Sequence, residues 1–179
     1  MKRHIPLLAL LGFLFFFQNC SSQGSLDSKT VDTLVNSQDF TFYAQRANPM
    51  NYDVINVMNS IPNSASSNIL QLNGNYTVVV KNNMLDVALP YFGRVFNPTY
   101  GTDNSFRFTT KNFTVNKSQS KKGNWVIRIK PDRNDQKNID EITIEVYKNG
   151  RAFTSVRSTD RQPITYTGYI SKNEETAKP

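Results

Sequence analysis

From residue 39 onward, short runs rich in Val, Ile, Thr, Phe and Tyr stand between turn-forming residues, and within several runs apolar and polar side chains alternate. Trp125, Ile127 and Ile129 interleave with Val126, Arg128 and Lys130, and Ile142, Ile144 and Val146 with Glu141, Thr143 and Glu145. A period of two marks a strand with one buried face, because successive side chains of extended backbone point to opposite sides. Composition and punctuation predict further strands at 40–44, 69–72, 76–81, 84–89, 106–109, 113–116, 152–158 and 164–171. Asn73-Gly74, Asn82-Asn83 and Asn149-Gly150 tolerate the positive φ of tight hairpins. The predicted fold class is all-β, an antiparallel sandwich or small barrel of about nine short strands. One long loop, 48–68, separates the first strand from the rest, and Val54, Ile55, Val57 and Met58 leave room there for a short helix.

The first residues follow a different pattern. Lys2 and Arg3 precede an apolar run from Ile5 to Phe17, and Gln18-Asn19-Cys20-Ser21-Ser22 follows. The run is too short to span a bilayer and reads as the core of a secretory signal. A cysteine at its end looks like a bacterial lipoprotein signal, with residues 1–19 removed and Cys20 as the lipid attachment site. The alternative is an ordinary secretory signal, since Asn19 stands where that pattern expects a small residue. Residues 20–38 then read as a polar tether, 39–172 as a single β domain and 173–179 as a disordered tail. Asp32-Thr33-Leu34 resembles the short O-glycosylation signal of Bacteroidetes-type bacteria, or is plain linker.

Charge and composition then narrow the chemistry. The 179 residues carry 21 Lys+Arg, 14 Asp+Glu, one His and one Cys. Loss of 1–19 removes Lys2, Arg3 and His4, which leaves 19 − 14 = +5 and no histidine. With Cys20 acylated, Ser-His-Asp and Cys-His nucleophile systems and His-ligated metals are excluded. Glu141 and Glu145 share one strand face about 13 Å apart, too far for a glycosidase pair. Asp132, Asn134 and Gln136 mimic a calcium loop, but Lys137 stands at the required glycine and Thr143 at the closing Glu. The expectation is therefore a protein that is not an enzyme, with no metal and no cofactor. The basic tip at 118–123, with Lys117, Lys121 and Lys122, suits solubility or attraction to anionic lipid or polysaccharide, not nucleic acid.

Three stretches carry a family resemblance: Asp39-Phe40-Thr41-Phe42 with Ala47-Asn48-Pro49-Met50; Leu89-Pro90-Tyr91-Phe92-Gly93-Arg94 with Tyr100-Gly101; and Arg161-Gln162-Pro163-Ile164-Thr165-Tyr166-Thr167-Gly168. Together they resemble the domain of unknown function 4251, a family of small envelope lipoproteins of Bacteroidetes-type bacteria. The resemblance implies a β domain in the cell envelope, at the outer membrane and facing the periplasm or the surface. It implies no activity.

The candidate ligand site is read from the central and last stretches: Tyr91, Phe92, Arg94, Tyr100, Arg161 and Gln162. Pro90 ends a strand, Gly93 permits a tight turn or bulge, and Arg94 is delivered among aromatic rings. Guanidinium groups suit acidic oxygens and rings suit sugar faces, so the functional reading is a site for an anionic or sugar-like ligand. The alternative is a core corner in which Arg94 and Arg161 hydrogen-bond loop carbonyls. The expected function is a lipid-anchored, non-enzymatic binding module whose partner is a glycan, a lipid or an envelope protein. A structural or accessory lipoprotein and, behind it, a carboxylate-based hydrolase are the alternatives.

Overall fold

The structure is a computed structural model that describes residues 25–60, 70–96 and 105–173. Its elements are α1 (Ser28–Ser37), β1 (Phe40–Pro49), α2 (Tyr52–Ser60), β2 (Thr77–Lys81), β3 (Met84–Leu89), β4 (Phe106–Thr110), β5 (Phe113–Gln119), β6 (Trp125–Pro131), β7 (Ile139–Val146), β8 (Arg151–Ser158) and β9 (Ile164–Lys172). The nine strands form one sheet in the order β4-β3-β2-β1-β9-β8-β7-β6-β5, which curls into a nearly closed barrel. Every ladder is antiparallel. Counted around from β1 in both directions, β4 and β5 therefore run the same way. They are two halves of one bent strand, separated by Lys111 and Asn112, that pairs with β3 and then with β6. A strand that changes partners at a bend is how a sheet turns a corner toward closure. The bend is held by the β6–β7 loop: Asp132 N–H donates to the Asn112 carbonyl at 2.8 Å, and Asp135 accepts from the Thr110 hydroxyl at 2.6 Å and the Asn112 amide at 3.0 Å.

The alternation predicted from sequence defines inside and outside. Val78, Val80, Leu85, Val87, Leu89, Ile127, Ile129, Ile142, Ile144 and Val146 are buried, while their strand neighbours remain at least partly exposed. Phe40, Phe42, Ile164, Tyr166 and Ile170 complete the core from β1 and β9. β1 is longer than predicted because a bulge between Ala44 and Arg46 lets it continue along β9 after β2 has ended. Residues 70–72, expected as a strand, make only an isolated bridge, Gln71 to Arg46. They still follow the edge of β1, with Leu72 N–H donating to Gln45 at 2.8 Å and Ala47 N–H to Leu70 at 2.9 Å. In the 48–68 loop, Asn48 and Pro49 belong to β1 and the short helix is α2; Ile69 and 61–69 as a whole lie outside the described residues.

The tether reading of 20–38 needs correction over its second half. Residues 28–37 are helix α1, started by Asp27, whose carboxylate accepts from the Thr30 N–H at 2.6 Å and is thereby held below the usual carboxylate range. Val31, Leu34 and Val35 are buried in the core cluster. They sit at helical spacing, i, i+3 and i+4, which a count of polar residues passes over. The Trp125 indole donates to Asp32 at 2.7 Å, and the Lys117 ammonium donates to the Asn36 carbonyl at 2.9 Å. Lys117, expected on a solvated tip, thus ties β5 to the end of α1. Asn173 also belongs to the fold and not to a tail: it is buried, accepts from Thr41 at 2.6 Å, and donates to Asp39 at 2.6 Å and Val80 at 3.0 Å. Residues 1–24 and 174–179 lie outside the described residues, Cys20 among them.

Candidate functional site

α1 covers the end of the barrel at which β1 begins and β9 finishes. The central and last sequence stretches meet at the opposite end. There the segment leaving β3 and the connection from β8 to β9 form a small ribbon. Gln162 N–H donates to Arg94 O at 3.1 Å, Phe96 N–H donates to Asp160 O at 2.8 Å, and Val95 and Arg161 form a bridge. Tyr166, fully buried on β9, donates its hydroxyl to Pro90 O at 2.6 Å and so fastens the exit of β3 to β9. Burial pushes its phenol well up.

Arg161, not Arg94, is the guanidinium among the rings. Its Cζ lies 5.2 Å from the Tyr91 ring centroid and 4.9 Å from that of Phe106, and these two rings meet edge to face at 5.5 Å. The same guanidinium is held in a fork by the preceding residue. Nε donates to Asp160 Oδ1 at 3.0 Å and Nη2 to Oδ2 at 2.8 Å. Asp160 further accepts from the Ser158 hydroxyl and from the Asn138 amide at 3.3 Å. Hydrogen bonding from Arg161, chiefly, holds the Asp160 carboxyl below the ordinary range, against the opposing effect of burial. The pair is mostly withdrawn from solvent, at 14% and 17% side-chain exposure.

Tyr91 reaches back across the ribbon, its hydroxyl 2.9 Å from Arg94 O and 3.1 Å from Gln162 O. Burial raises its pKa, and the hydrogen bond to Gln162 and the charge of Arg161 offset that only in part. Gly93 makes the fold-back possible, since a Cβ there would stand 2.5 Å from the Tyr91 hydroxyl oxygen. Its role is space for a ring and not a special turn conformation. Gln162 accepts from the Asn51 amide at 2.6 Å, which brings the start of α2 to the same place. Phe92 packs against the core as a partly buried residue.

Of the six residues singled out, the structure brings Tyr91, Arg94, Arg161 and Gln162 together, Phe92 beside them, with Arg94 contributing its backbone and leaving its side chain exposed. Tyr100 lies outside the described residues. Sequence reasoning missed Phe106, Asp160, Ser158, Tyr166 and Asn51. The adjacency of Asp160 and Arg161 was the available signal; Phe106 gave none, because its contact with Tyr91 spans the end of the barrel.

Chemically, this arrangement is a polar-aromatic knot tied by hydrogen bonds within the protein. No group of three or more His, Cys, Asp or Glu residues with metal-binding geometry occurs among the described residues. The sequence model of the family described as a domain of unknown function, DUF4251, matches residues 23–170. The chain belongs to the DUF4251 family. The DUF4251 match begins before α1 and so includes that helix. A crystal structure of a DUF4251 family protein from Bacteroides eggerthii is similar at 13% sequence identity, covering 81% of this chain and 87% of that one, with a TM-score of 0.41. No curated protein matches this DUF4251 chain.

Proposed function

We propose that this DUF4251 domain is a non-catalytic envelope protein, anchored through lipid on Cys20, that binds a partner protein with the rim of the barrel opposite α1. The observation that carries the reading is the placement of exposed apolar side chains. Four of the five exposed large apolar side chains among the described residues, Met50, Tyr52, Val57 and Phe96, belong to this end, Tyr52 at 80%, and the fifth, Tyr147, is less exposed and follows β7 at the α1 end. The four lie on two segments, 50–57 and 94–96, that are joined through Asn51, Gln162 and Arg94. Grouped apolar exposure rimmed by polar residues marks an interaction surface, whereas scattered exposure does not. Exposed Arg94 is the one guanidinium of the original candidate set offered to solvent there.

A photo-crosslinking residue at position 52 or 96 in cells tests this. A discrete protein adduct, lost when Met50→Ser and Val57→Ser are combined and with the unfolding midpoint unchanged, is the expected outcome. Absence of any adduct at both positions, together with a ligand-induced thermal shift from a glycan panel that Arg94→Ala abolishes, would move the function to a small-ligand module. The anchor has a separate readout: Cys20→Ala abolishes labelled-palmitate incorporation.

A further inference from the structure

We infer that the α1 end of the barrel is a contact surface for an anionic phospholipid leaflet. The inference rests on the lipid anchor proposed above and adds an orientation and a second binding element. Its geometric basis is the place where the chain enters the fold. Leu26 N–H donates to Asn149 O at 3.0 Å, and the Leu26 side chain packs over Gly150, 3.0 Å from where a Cβ would stand. Six residue steps lead from Cys20 to Leu26, and at most ~3.6 Å per residue they reach roughly 20 Å. The β7–β8 turn therefore stays within about 20 Å of any surface in which Cys20 is anchored, and can reach it.

That turn and its neighbours are basic. The Lys148 side chain lies over Gly123, its Cε 3.0 Å from a Cβ placed there, so the β7–β8 turn touches the β5–β6 turn that carries Lys121 and Lys122. Lys121, Lys122, Lys148, Arg151, Lys29 and Lys172 are all exposed at this end. None of the six has a carboxylate partner in an ion pair among the described residues, whereas the four ion pairs that are present involve Lys130, Arg133, Arg157 and Arg161. Among the described residues, the carboxylates at this end accept from donors within the protein: Asp27 from Thr30, Asp32 from Trp125, Asp39 from Asn173 and Glu145 from Asn124. A basic cluster within a Debye length, about 8 Å, of anionic headgroups attracts them, and such a patch is the usual second signal beside an acyl chain. The orientation also leaves the apolar rim, at the far end of the barrel, facing away from the membrane.

The test uses the chain 20–179 with Cys20→Ser, which retains every described element, and vesicles of phosphatidylcholine with or without phosphatidylglycerol. Sedimentation with the anionic vesicles only, weakening steeply with salt, is expected. Lys121→Glu, Lys122→Glu and Lys148→Glu together should lower affinity on the order of tenfold or more, the corresponding Gln variants by less, and Arg128→Glu with Lys130→Glu on the outer face of β6 by no more than about twofold. Equal binding to both vesicles, no binding to either, or equal loss from the β6 variant overturns the inference. Because this chain carries no lipid, failure here is separate from failure of palmitate labelling at Cys20, which would remove the anchor itself.

Discussion

A Cβ on residue 168 would stand 1.9 Å from the carbonyl oxygen of Tyr43. Gly168 pairs with Ala44 at the bulge where β1 leaves the β2 ladder and continues along β9. The longest contact in the barrel thus passes through a point where only a hydrogen fits. Gly168→Ala must push two backbones apart, which offsets any gain from a stiffer unfolded chain. We expect a loss of about 3 kcal/mol or more, read as a fall in the denaturant midpoint, with an unchanged midpoint counting against the close approach.

Asp160→Asn removes the charged fork that grips the mostly buried Arg161 guanidinium. The expected cost is about 2–3 kcal/mol, several degrees in midpoint for a domain of this size. The same pair fixes an acid dependence. Asp160 has a depressed pKa when folded, so its contribution is complete above the unfolded value and is lost as pH falls through the folded one. Unfolding curves between about pH 5 and pH 2 should show wild type losing stability that Asp160→Asn no longer has to lose.

Residues 25–38 are structural. A chain starting at Asp39 forfeits burial of Val31, Leu34 and Val35, each on the order of 1.5–3 kcal/mol, and exposes the barrel end they cover. It should unfold well below a chain starting at Ser25 and bind a hydrophobic dye. Equal stability of the two would return this segment to the status of a tether.

Thr154 is fully buried on β8, and its hydroxyl has no hydrogen-bond partner among the described residues. It faces inward beside Ile144 and Tyr166 in the ladders. Thr154→Val keeps the shape and the β-branching and removes the stranded polar atom. Stabilisation of about 1 kcal/mol by thermal or denaturant unfolding is the expected result, and destabilisation would point to a partner for the hydroxyl.

How much was legible follows from the range of each interaction. Alternation in 125–130 and 141–146, and the paired turn residues at 82–83 and 149–150, are local signals. They determined strands, hairpins and the all-β class, because the side-chain period and the turn conformations are properties of a few consecutive residues. The family stretches at 89–94 and 161–168 were legible in the same way. Tertiary structure alone decided the closure. Pairing of β1 with β9 joins residues more than a hundred positions apart, and the bend at Lys111-Asn112 that makes one strand serve both sheet edges has no local signature. It also decided that α1 is a packed helix, since three apolar side chains in a polar segment gain meaning only against a surface that needs covering. At the candidate site the sequence supplied the vicinity and named both Arg94 and Arg161, but it set Arg94 among the rings. Tyr91 and Arg94 are near neighbours in the chain, but the cation between the rings comes from residue 161, because β3 ends and β9 begins at the same rim of the barrel and Phe106 faces them from the start of β4. Which guanidinium is enclosed and which is left to solvent depends on that convergence, a property of the closed sheet and not of any one stretch of the chain.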